Sequence, residues 1–149
     1  MSTDRIEKTI VLRAPRARVW RALARPDEFG AWFGVALGGA FAPGARLTGR
    51  RTAPGHEHET MEFVVERVEP ERLLAYRWHP AAHEPGVDDA PEPTTLVEFH
   101  LADVAEGTRL TVIESGFDGL PLARRATAFR MHDAGWVAQL ANLARYVAA

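Results

Sequence analysis

The sequence predicts an α+β fold: a twisted antiparallel sheet covered on one face by a long C-terminal helix, with two short helices after the first strand. Three observations carry this expectation. Apolar and polar residues alternate in several short segments, the two-residue period of half-buried strands. Glycine and proline punctuate those segments, as antiparallel hairpins require. From Leu122 to Val147 the apolar residues recur instead at threes and fours, the period of a helix.

Residues Ile6 to Leu12 place Ile6, Ile10 and Leu12 on one face and Glu7, Thr9 and Arg13 on the other, which suits a strand. Ala14-Pro15 breaks it, and Pro15 is suited to be the first residue of a helix because its ring presets the helical φ. Val19, Trp20 and Leu23 give that helix an apolar stripe, and Pro26 ends it. A second short helix over residues 27–33 presents Phe29, Trp32 and Phe33. Gly38-Gly39, Pro43-Gly44 and Pro54-Gly55 then divide the chain into short hairpin segments.

The strongest strands follow. Residues 60–68 put Met61, Phe63 and Val65 on one face and Glu62 and Glu66 on the other. After a turn at Pro70-Glu71-Arg72, residues 73–79 return with Leu74, Tyr76 and Trp78 together. Residues 94–101 and 108–115 form a second pair joined near Glu106-Gly107, with Val97, Phe99 and Leu101, then Leu110 and Val112, on the apolar side. Between the pairs, Pro80 to Pro93 holds four prolines and four acids and no periodicity, a loop that is either a surface insertion or a lid. The helical stripe runs through Leu122, Ala126, Phe129, Trp136, Leu140, Leu143 and Val147, with one missing beat, assigned to Asp133. At 1.5 Å per residue it spans ~40 Å, although Gly135 weakens its middle. It is long enough to cover a one-faced sheet, and a strongly twisted sheet leaves volume beneath it unless large side chains fill the space.

Composition narrows the function. At 149 residues the chain fits one domain, residues 1–149, with a core that needs no staples. No cysteine is present, which excludes disulfides, cysteine-ligated zinc and thiol nucleophiles. A net charge of −2 argues against a general nucleic-acid binder. No run approaches the ~20 apolar residues of a membrane span, and the N-terminal residues lack the apolar stretch of a signal peptide, so a cytoplasmic location is expected. GxSxG and glycine-rich phosphate loops are missing. His56-Glu57-His58 has no third ligand at a useful spacing, so neither a metal nor a cofactor is expected.

The chain resembles a known family along nearly its whole length. Ile10-Val11-Leu12-Arg13-Ala14-Pro15, Val19-Trp20-Arg21-Ala22-Leu23 and Trp32-Phe33 look like the START-like (SRPBCC) superfamily, in the branch named for the activator of heat-shock protein 90 ATPase. The turn Glu106-Gly107-Thr108-Arg109-Leu110-Thr111, then Ser115-Gly116-Phe117, and Gly135-Trp136 with Leu140 and Leu143, match the same branch. The resemblance implies a helix-grip fold, a curved antiparallel sheet holding a long C-terminal helix, usually with an apolar cavity between them. Its members include lipid and hormone carriers and polyketide cyclases, so the fold alone assigns no activity. The chaperone-activating members carry a further N-terminal domain that binds the chaperone; no such domain is expected within these 149 residues, so chaperone activation is not the expected role.

Candidate site residues are those aimed at the interior. Trp32, Phe33, Met61, Phe63, Tyr76, Trp78, Phe99 and Trp136 converge on one face, as core or as pocket lining. Glu114 continues the Leu110–Val112 face, and Asp133 fills the gap in the helical stripe. A carboxylate there is costly unless paired, so each acid is a structural partner, a ligand anchor or a general acid or base. The expected function is binding of a small apolar or aromatic ligand between sheet and helix, by a monomer or homodimer. An enzyme of cyclase or dehydratase type, using an inward acid with Tyr76, and a protein-interaction module are the alternatives.

Overall fold

The computed structural model describes residues 4–80 and 93–148. Strand β1 (Arg5–Leu12) is followed by helices α1 (Arg16–Ala24) and α2 (Pro26–Phe33). Strands β2 (Val35–Gly38), β3 (Arg46–Arg51), β4 (Thr60–Glu69), β5 (Leu73–Trp78), β6 (Thr95–Val104) and β7 (Gly107–Ser115) come next. A short 3-10 turn over Phe117–Gly119 leads into helix α3 (Leu122–Ala148). The predicted α+β architecture is present. The proline-rich segment read as a loop lies, except for its ends, outside the described residues.

All neighbouring strands are antiparallel, in the order β1-β7-β6-β5-β4-β3-β2. Strands β2 to β7 follow one another as a meander. The first strand closes the far edge by pairing with β7, so α1 and α2 carry the chain from one edge of the sheet to the other. An extra residue at Glu66 shifts the β4–β5 register, and such a bulge increases local twist. It helps the sheet curl around α3.

Local chemistry places the helices. Pro15 stands just before α1 rather than inside it, and its carbonyl accepts the Arg18 and Val19 amides. Pro26 both stops α1 and opens α2, because it lacks the amide that α1 would need next. Gly34 ends α2 at φ 92, a left-handed turn that glycine adopts without strain. The Trp32 indole donates to the Ala22 carbonyl at 2.8 Å and locks the two short helices together. Trp32 is therefore a structural strut.

The core lies between the sheet's concave face and the three helices. Phe29, Phe63, Tyr76 and Phe99 are fully buried and meet edge-on or tilted, the orientations aromatic quadrupoles favour. On α3, Trp136, Leu140, Leu143 and Val147 are buried as the stripe predicts. Leu122 departs from it and is 78% exposed, since it begins the helix beyond the sheet's reach.

Candidate functional site

Strand alternation decides which polar side chains point inward. Glu114 on β7 stands opposite Ile6 of β1 and Val97 of β6, both buried, and its own side chain is fully enclosed. An isolated buried carboxylate would cost several kcal/mol, so its partners matter. It has four. Oε1 accepts from His132 Nδ1 at 2.7 Å and from Trp136 Nε1 at 2.8 Å. Oε2 accepts from Trp78 Nε1 at 2.9 Å and from the Thr95 hydroxyl at 2.5 Å. Trp78 and Thr95 are cross-strand partners on β5 and β6, while His132 and Trp136 lie one turn apart on α3. One carboxylate thus fastens the helix to two strands.

These contacts fix the protonation states. The second ring nitrogen of His132 meets the Pro80 carbonyl, which can only accept, and the first meets the Glu114 carboxylate. Opposite an ionised Glu114 both nitrogens donate, so this arrangement favours the imidazolium form of the ring. Burial alone pushes the Glu114 carboxyl up. The His132 hydrogen bond and charge, with the Thr95 and Trp78 donors, outweigh it and hold the group below its ordinary value. For His132, burial pulls the value down, and the Glu114 bond and charge, then the Pro80 carbonyl, raise it above the ordinary histidine value. The result is a buried, hydrogen-bonded ion pair.

A cleft of about 810 Å³ opens between α3 and the ends of β3, β4 and β5. His132, Trp78 and Trp136 form part of its wall, with Glu114 behind them. The Trp78 and Trp136 rings are stacked at 5.7 Å and 23°. Phe33, Met61 and Met131 supply further apolar surface. Among the described residues, Arg51, Glu59, Glu62 and Arg124 are its charged side chains besides the histidines.

The predicted site residues separate into groups. Phe33, Met61, Trp78 and Trp136 line the cleft. Phe63, Tyr76 and Phe99 are sealed in the core, and the buried Tyr76 hydroxyl has no hydrogen-bond partner among the described residues. Burial first, and the Glu114 charge second, push that phenol well above 10, so it is a poor proton donor or acceptor at neutral pH.

Asp133 is a correction. It does not point into the interior but pairs with Lys8 on β1 at 2.9 Å, half exposed. Positions 132 and 133 flank the stripe at similar angles on opposite sides, at 3.6 residues per turn. The flank facing β7 carries His132; the flank facing β1 carries Asp133. His132 was not anticipated from the sequence, although it lies three residues after Phe129 and four before Trp136. Arg51 was also missed, although it continues the inward alternation Leu47, Gly49, Arg51. On the surface, His56 bonds Glu59 at 3.0 Å, and His100 bonds Glu98 at 3.2 Å.

Among the described residues no helix is long and apolar enough to cross a membrane. Comparison with curated proteins finds no match. Among solved structures, protein MLL2253 from Mesorhizobium loti superposes with a TM-score of 0.76 at 23% identity, over 97% of this chain and 96% of that one. A solution structure from Arthrobacter aurescens gives 0.79 at 13% identity, over 98% and 87%. DynU16, a protein of the dynemicin biosynthetic locus, gives 0.74 at 29% identity over 98% of this chain, which spans 48% of that longer one. The first two establish the fold. The pattern of the Activator of Hsp90 ATPase homolog 1-like proteins matches residues 13–148, nearly the full length, and the chain belongs to that family.

Proposed function

We propose that the chain is a small-molecule binding protein that takes an apolar or aromatic ligand into the cleft between α3 and the sheet. One observation carries the reading. The cleft, about 810 Å³, lies within the ~300–1,000 Å³ typical of small-molecule sites, and two stacked indoles form its wall. The buried Glu114 holds both indoles and the His132 ring by hydrogen bonds, so the wall is rigid before a ligand arrives. A preorganised wall lowers the ordering cost of binding. Glu114 acts here as a positioning residue, since its four donors leave it enclosed behind the rings. The 29% identity to a protein of a biosynthetic locus fits a role in small-molecule chemistry.

Native mass spectrometry of the purified protein tests this directly, with a co-purifying small molecule as the expected result. A melting-temperature screen against diverse aromatic compounds complements it, because binding to the folded state stabilises by RT ln(1 + [L]/Kd). No adduct and no ligand-dependent melting shift would overturn the binding reading and favour a protein-interaction role.

A further inference from the structure

Arg51 ends β3 directly opposite Val35, a core residue, so its side chain projects from the concave face. Its neighbours on that alternation, Leu47 and Gly49, face the same way, and Leu47 is fully buried. The Arg51 side chain lines the cleft. Its Nε is buried and has no hydrogen-bond acceptor among the described residues. Burying a guanidinium donor without an acceptor is costly, and arginine's planar fork is built to take a carboxylate with two parallel bonds.

Among the described residues, the acids of the cleft do not meet that need. Glu59 is bonded to His56 at 3.0 Å, and Glu62 is paired with Arg46 at 2.5 Å. Glu114 is surrounded by its four donors. Arg124 of α3 also lines the cleft and has interactions of its own. The cleft therefore joins an aromatic wall to a cation that lacks a counter-charge among the described residues.

We propose that the ligand is an amphipathic organic acid, its ring system against Trp78 and Trp136 and its carboxylate on Arg51. This deepens the binding reading above and rests on it. Arg51 sets the charge of the ligand, while the aromatic wall sets its shape.

The test is a matched pair of fluorescent probes, 1-pyrenebutyrate and its primary amide, titrated at pH 8 into the wild type, Arg51→Gln and Arg51→Lys. The acid is expected to bind the wild type at least tenfold more tightly than the amide. In Arg51→Gln the two should bind within twofold of each other, with amide affinity unchanged. Arg51→Lys should keep part of the preference, since it retains charge without the fork. An unchanged amide affinity also shows that the variants fold. If acid and amide bind the wild type equally, the cleft is a binding site and the role of Arg51 is overturned. The same holds if the preference survives in Arg51→Gln. If neither probe binds the wild type, both this proposal and the binding reading beneath it fail.

Discussion

The two halves of α3 solve different problems with one helix. Its C-terminal half buries Leu140, Leu143 and Val147 at regular spacing and is tied to α2 by the Tyr146 hydroxyl, which donates to Glu28 at 3.0 Å. Its N-terminal half, before Trp136, buries no side chain fully; it exposes Leu122 and Met131 and forms a wall of the cleft. Where apolar packing suffices, shape fixes the helix. Where the helix borders a cleft, the described residues leave one side without apolar contact, and a hydrogen-bonded ion pair fixes it instead. A polar anchor can hold a wall that faces open space, because its hold depends on direction and charge as well as on contact area.

Mutations can break this contrast. Glu114→Ala should have the largest effect, since it leaves the His132 imidazolium, two indoles and the Thr95 hydroxyl without their acceptor. Removing one member of a buried ion pair costs about 3–5 kcal/mol, and urea unfolding should show a loss of that order. Leu143→Ala, in the packed half, should cost about 2–5 kcal/mol by the same measurement. The two losses should differ in kind. Only Glu114→Ala should also perturb the near-ultraviolet circular dichroism of the stacked indoles while the protein remains folded.

The pair also gives the wall a pH window. The Glu114 carboxyl is held below its ordinary 4.5, so its contribution is complete above that value and is lost as pH falls through the lowered one. His132 is held above 6.5, so its contribution is complete below 6.5 and is lost as pH rises through the raised value. Between 4.5 and 6.5 both contribute in full. Wild type should lose stability relative to His132→Gln as the pH of urea titrations is raised above that window. A constant difference between the two proteins would show that His132 is neutral in the folded state.

The smallest effects sharpen the contrast. Gly135 sits in the cleft-lining half, and none of the described residues comes within 4 Å of where a Cβ would be. Gly135→Ala should therefore stabilise the helix by about 0.5–1 kcal/mol. Leu122→Ala should change stability by less than about 0.5 kcal/mol, because that side chain is already in water. A large loss at Leu122 would mean that this half is packed against something.

Much of this was legible in the sequence, to the extent that its periods are sharp. Strand alternation has a period of two, so Glu114, two residues beyond Val112 and four beyond Leu110, could only face inward, and it does. The helical period of 3.6 is not a whole number, so positions 132 and 133 were equally placed relative to the stripe. Only the strands beneath decided between them, and a helical pattern holds no information about its neighbours. Arg51 was obscured for another reason. The glycine-rich texture around β2 and β3 masks their alternation, and arginine on an inward face runs against expectation until the cleft beside it is seen. Tyr76 shows the opposite limit. Its alternation correctly put it inside, but nothing in the pattern separates a residue that lines a cleft from one sealed in the core.

The stacked pair at the cleft has an optical consequence. Of the chain's four tryptophans, Trp78 and Trp136 touch each other, and the Trp78 ring centre lies 5.8 Å from that of His132. A protonated imidazole quenches indole emission at such range, and near-parallel indoles couple as excitons. The emission of these two rings therefore reports the charge on His132, and their paired dichroic bands report the spacing between β5 and α3. The molecule thus carries its own gauge of the cleft wall, one that needs no label.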